Sequence, residues 1–89
     1  MIGLSLEPLL EQVYFPGDTL EQLDWIVVGG ESGPHRRPFD PEWLYGLAEA
    51  CDLTRTPLFI KQDSGPKSGM QGRIPDELWS VKQYPEVRK

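Results

Sequence analysis

The four residues Trp25-Ile26-Val27-Val28 form an unbroken apolar, β-favouring run that stops at Gly29-Gly30. A strand without polar alternation suits a place buried on both faces, which is the habit of parallel sheets. Parallel neighbours need long crossover connections, so a chain of 89 residues has room for about three such strands around one core.

The flanking segments supply the other strands and the crossovers. From Ile2 to Glu7, Ile2, Leu4 and Leu6 alternate with Gly3, Ser5 and Glu7, which predicts a strand ended by Pro8. Pro16-Gly17-Asp18 signals a turn, and Thr19 to Leu23 predicts one helical turn with Asp18 or Thr19 as its N-cap. The main helix is predicted from Asp40, a natural N-cap, with Pro41 at the first helical position and Glu42 near the positive end of the dipole. Trp43, Leu44, Leu47, Ala48 and Cys51 follow at helical spacing, and the helix should end near Asp52 or Leu53. Leu58-Phe59-Ile60 is the third apolar run, and it passes into Lys61-Gln62-Asp63. Residues 64–74 read as a glycine-rich, mobile loop; Ile74 to Trp79 predicts a helical turn capped by Asp76, and Val81 to Tyr84 an edge segment. The expected fold is a single α/β domain over residues 1–89, with a small parallel sheet of about three strands and one main helix.

Charge and cysteine usage exclude several function classes. A net charge of -5 argues against general binding to nucleic-acid phosphates, although His35, Arg36 and Arg37 form a local basic triplet. That triplet is either a solvated stretch of loop or a patch that faces an anion. The single cysteine, Cys51, rules out a disulfide framework or a cysteine-rich metal site within one chain, and its helical spacing marks it as core. No basic leader or long apolar span is present, so the expectation is a soluble protein of a reducing cytoplasm, without a metal site or a membrane partner.

If the three strands are parallel, their C-terminal ends share one edge of the sheet, where ligand sites of such folds gather. That edge would hold Glu7, then Gly29-Gly30-Glu31-Ser32, then Lys61-Gln62-Asp63. Glu7, Glu31, Ser32 and Lys61 are the candidate catalytic residues. Gly29, Gly30, Glu31, Ser32, Gly33, Arg36, Arg37, Lys61 and Gln62 are the candidate ligand-binding residues. The glycines do not reproduce a dinucleotide or P-loop fingerprint, and Gly30-Glu31-Ser32-Gly33-Pro34 has proline where a nucleophile elbow needs glycine. Glu7 and Glu31 could face each other as an acid/base pair, or one of them could simply pair with Lys61 or Arg37.

Taken in order, "SLEPLL" (Ser5–Leu10), "LDWIVVGGESGP" (Leu23–Pro34), "RPFDPEW" (Arg37–Trp43) and "PLFIKQ" (Pro57–Gln62) are distinctive. Together they resemble the C-terminal part of a phage- and plasmid-associated family of unknown function. Its full-length members begin with a cysteine-rich stretch similar to the cluster-binding motif of radical S-adenosylmethionine enzymes, on a (β/α) barrel. The resemblance implies that the three strands are the last strands of such a barrel, with Glu7, Glu31, Ser32, Lys61 and Gln62 at the mouth of its site. It also implies an iron–sulfur cluster and S-adenosylmethionine for the parent but none for this chain, which lacks the N-terminal cysteines. Where the family often continues with tryptophan and glycine after Lys-Gln, this chain has Asp63-Ser64-Gly65. The expected function is that of a truncated or split barrel segment, an assembly or interaction module without a complete active site. Its expected partner is either a second copy or a missing N-terminal barrel portion. The competing expectation is a small stand-alone enzyme or ligand-binding domain that uses the polar strand ends.

Overall fold

In the computed structural model, which describes residues 2–15 and 17–85, the glycine-terminated run is the middle strand of a three-stranded sheet. Strand β1 (Gly3–Leu6) lies on one side of β2 (Trp25–Gly29) and β3 (Leu58–Gln62) on the other, and both pairings are parallel. The register sets Leu4 beside Ile26 beside Leu58, and Leu6 beside Val28 beside Ile60. An irregularity after Val28 then brings Gly29 opposite Gln62.

Helix α1 (Gly17–Glu21) precedes β2, α2 (Trp43–Thr54) links β2 to β3, and α3 (Asp76–Trp79) follows β3. Leu20 of α1, Leu44, Leu47 and Cys51 of α2, and Leu78 of α3 join Ile26, Val28, Leu58 and Ile60 in one buried cluster. All three helices therefore cover the same face of the sheet. Burial raises the Cys51 thiol to about 11, so at neutral pH it is a packed, protonated side chain.

The opposite face corrects the expectation of a strand buried on both sides. Trp25 and Val27 are only half-buried, and Ser5 beside Val27 is exposed. What covers this face is an aromatic group at its lower end: the rings of Trp25 and Phe59 meet edge to face at 6.4 Å, and Tyr84 lies 5.4 Å from Phe59 and 6.0 Å from Trp25. The missing alternation arose because aromatic and β-branched residues occupy a face left half open to solvent.

Element ends differ from their sequence signals for local reasons. Helix α1 starts at Gly17, so Asp18 lies within its first turn; the turn expected from Pro16 falls partly outside the described residues. Asp40 does cap, but one turn ahead of α2: its carboxylate accepts the Glu42 N–H at 2.9 Å and its carbonyl accepts the Trp43 N–H at 3.0 Å. That leading turn moves the helix start to Trp43. The helix ends at Thr54 through Arg55 in the left-handed region (φ 57°), where the Thr56 N–H reaches back to the Cys51 carbonyl at 2.9 Å. An arginine stands in the place usually taken by glycine, so the sequence carries no marker of the exact helix end. Helix α3 begins with Asp76 itself, after Pro75. Among the described residues no helix is long and apolar enough to cross a membrane.

Candidate functional site at the strand ends

The parallel order places the ends of β1, β2 and β3 together, and three of the polar residues singled out from the sequence meet there. Lys61 donates to both carboxylate oxygens of Glu7, at 3.1 and 3.2 Å. Gln62, 1% exposed, donates through Nε2 to the Gly30 carbonyl at 2.7 Å and to Glu7 at 3.3 Å, and accepts the Gly69 N–H at 2.8 Å. Gln62 thus ties the end of β1, the end of β2 and the loop after β3 into one network. Glycine at 29 is part of that packing, since an added Cβ would lie 3.1 Å from Gln62 Cγ.

Glu31 is engaged elsewhere. It accepts the Arg37 backbone N–H at 2.9 Å and the Arg37 guanidinium at 3.1 and 2.8 Å. The side-chain and backbone bonds from Arg37 hold the Glu31 carboxyl below its ordinary range. Rather than facing each other as an acid/base pair, both carboxylates are paired, Glu31 with Arg37 and Glu7 with Lys61. Arg36 turns back onto the Gly33 carbonyl at 3.1 Å, and His35 is exposed. Ser32 pairs with Gly65 through its backbone, and the Gly33 N–H meets the Gly65 carbonyl at 2.9 Å, so the two loops continue the sheet beyond the strands.

The sequence places Asp63 at this edge, but its partnership with Arg73 is the feature that sequence reasoning missed. Asp63, 2% exposed, accepts the Arg73 backbone N–H at 2.8 Å, Arg73 Nε and Nη2 at 3.0 Å each, and the Ser64 N–H at 2.7 Å. Arg73 also donates to the Phe39 carbonyl. These bonds, with those at Gly65 and Gly69, fasten the 64–74 segment to the strand ends. A carboxylate directly after an apolar strand, with an arginine ten residues on, is too common a pattern to mark such a clamp in advance.

A concavity lies away from this chemistry. It measures about 730 Å³, opens below the sheet near the C-terminal ends of α1 and α2, and is lined in part by Glu21, Asp24, Asp52 and Arg55. Carboxylates and helix carbonyl ends give it a negative cast, and every buried side-chain polar atom among the described residues already has a partner. The strand ends remain the better candidate, because their polar groups converge from separate elements.

The Glu7–Lys61 pair is half-exposed, so its stabilising effect should be small. Glu7→Ala is expected to cost no more than about 1 kcal/mol in urea denaturation. A larger loss would make the pair a structural brace.

No group of three or more metal-capable side chains occurs among the described residues. Comparison of the chain with curated proteins and with solved structures finds no match. Residues 2–81 match the model of a family described as a protein of unknown function (DUF5131), and the chain belongs to that family.

Proposed function

We propose that the chain is an assembly module: one arc of a larger (β/α) barrel, whose working site is completed when further strands add beside β1. The observation that carries this reading is the half-open side of the parallel sheet, which no helix covers. Parallel sheets bury both faces, whereas among the described residues all helices share one face and β1 is an unpaired edge. Strands that follow one another in the order β1-β2-β3, with helices outside, have the layout of a barrel segment. On this reading the half-open face is the barrel interior, Glu7, Lys61 and Gln62 belong to the rim of its site, and the added strands are the barrel's N-terminal portion.

The parent's iron–sulfur cluster does not fit the residues present. Cys51 is the single thiol and is packed in the core, so any cluster and S-adenosylmethionine would be held by the added portion. A phage-related role in a reducing cytoplasm is part of the same proposal, supported by the sequence phrases quoted above and by the lone, buried thiol.

In the isolated chain, a second copy is the strand available to β1. Ser5 is the place to test it. Ile26 donates its N–H to Pro57, so the backbone groups of Trp25 and Val27 face β1 and those of Gly3 and Ser5 point outward. Ser5→Pro removes an outward N–H and leaves the β1–β2 ladder intact. Sedimentation equilibrium should show wild-type mass rising with concentration, and Ser5→Pro remaining monomeric with an unchanged circular dichroism spectrum. A wild-type chain that stays monomeric at millimolar concentration would overturn the reading.

A further inference from the structure

The two outer edges of the sheet are treated differently. On β3 the outward backbone groups belong to Leu58 and Ile60, and all four are engaged by the segment that follows α3. The Leu58 carbonyl accepts the Gln83 N–H at 2.9 Å, and the Leu58 N–H donates to Gln83 Oε1 at 3.1 Å. The Ile60 N–H donates to the Val81 carbonyl at 2.9 Å, and the Ile60 carbonyl accepts the Lys82 ammonium. Two of the four partners are thus side chains standing in for a strand's backbone. On β1 the corresponding groups of Gly3 and Ser5 meet no partner among the described residues.

The covering segment presents the backbone groups of one residue, Lys82, as an outward edge of its own. Gln83 turns its carbonyl to Trp25 Nε1 at 2.8 Å, and Tyr84 continues onto the Trp25 and Phe59 rings. Lys82 is pinned with its ammonium 3.5 Å from the centre of the Trp79 ring and 5.3 Å from that of Phe59. Pairing with β3 is confined to one antiparallel bridge, Phe59 with Lys82.

We infer that Val81–Gln83 is an edge cap that makes assembly one-sided: strands add at β1 alone, and the interaction surface hidden on β3 fits the β1 edge of a second copy. The complementarity is geometric. In a parallel sheet β1 and β3 are the two ends of one repeating pattern, so β3 of one copy can receive β1 of the next in the relation that β2 bears to β1. Such a contact is heterologous and does not close, so uncapped copies would add without limit. With the cap in place, two copies meeting through β1 form a closed pair. The inference rests on the open β1 edge of the assembly reading but not on the barrel, whose closure would displace the cap from β3.

The test is sedimentation velocity on the full chain with Gln83→Pro, which removes the N–H to Leu58 and its side-chain acceptor together. The expected result is species larger than a dimer that grow with concentration. Adding Ser5→Pro should remove everything beyond a dimer, because the growing end is then blocked. Gln83→Pro that gains no larger species, or large species that persist in the double variant, would overturn the cap. Wild-type association alongside either of those results leaves the assembly reading standing, whereas a monomeric wild type removes the reading itself. Should Gln83→Pro fail to fold, Gln83→Ala gives the same answer by hydrogen exchange. Loss of its side-chain acceptor should speed exchange of the Leu58 amide by about tenfold relative to that of Ile60. An unchanged Leu58 rate would overturn the cap.

Discussion

Asp63→Ala is expected to lower the stability of this protein by about 2–4 kcal/mol in urea or thermal unfolding, a large share of what an 89-residue domain has. The carboxylate is 2% exposed and accepts from the Ser64 N–H and from three donors of Arg73. Truncation leaves the two backbone N–H groups without their acceptor in a part-buried place, and an unpaired buried donor costs more than its bond contributed. The guanidinium suffers less, because the Arg73 side chain is 62% exposed and water can replace the lost bonds. Arg73→Ala should therefore cost less than Asp63→Ala. The reverse ranking would mean that the clamp acts through the arginine's packing.

The same pair sets an acid dependence. Burial by itself would raise the Asp63 carboxyl, but side-chain and backbone hydrogen bonds and the charge of Arg73, with the Ser64 N–H, outweigh it and hold the carboxyl below its ordinary range. A carboxylate depressed in the folded state contributes stability that is present above its unfolded value of about 3.9 and is lost as pH falls through the folded one. Wild-type stability should thus fall below about pH 4, and Asp63→Asn should flatten that part of the profile. Glu31, held down by Arg37, contributes in the same direction, but its exposure weakens the effect.

How much of this was legible in the sequence depends on whether local or long-range contacts decide each feature. Strand β2, its stop at Gly29 and the parallel class follow from one apolar run and from connection length, and the structure has them. The apolar face of α2 was legible through the spacing of Leu44, Leu47 and Cys51. The start of α2 was displaced because Asp40 caps a preliminary turn, a choice decided by backbone geometry within three residues. The strand-end residues were identifiable as a set, since parallel strands bring their C-termini together. Who pairs with whom was not, because Glu7–Lys61 and Asp63–Arg73 are selected by register and by loop closure.

The edge cap shows the same limit. "VKQY" before Pro85 suggests an edge segment, and the segment does lie along β3. Nothing in four residues says that Lys82 and Gln83 would use their side chains as substitute backbone partners. That arrangement depends on Leu58 and Ile60, more than 20 residues away, presenting their outward groups at matching positions.

Gly30→Ala is expected to cost about 2–3 kcal/mol, which bears directly on what the Gly-Gly turn is for. A methyl on Gly30 would stand 2.5 Å from the Ser64 backbone nitrogen and 3.0 Å from both Ser64 Cα and Phe39 Cγ. Ser64 cannot easily retreat: its N–H is bonded to Asp63 at 2.7 Å, and the following Gly65 is paired to Ser32 and Gly33. Gly30 itself is held through its N–H to the Gln62 carbonyl at 3.0 Å and through its carbonyl to Gln62 Nε2. Relief of the clash must therefore break a bond on one side or the other. Gly33 makes the control, because it needs its positive φ of 108° but a methyl added there would have nothing within 4 Å. Gly33→Ala should cost about 1–2 kcal/mol of backbone strain, with the contacts between the two loops unaltered. If Gly30→Ala instead falls within about 0.5 kcal/mol of wild type, the close approach of the β2 and β3 loops is not what requires the second glycine. The expected ranking, Gly30 above Gly33, assigns the turn to joining two strand ends tightly enough for Gln62 to reach all three elements.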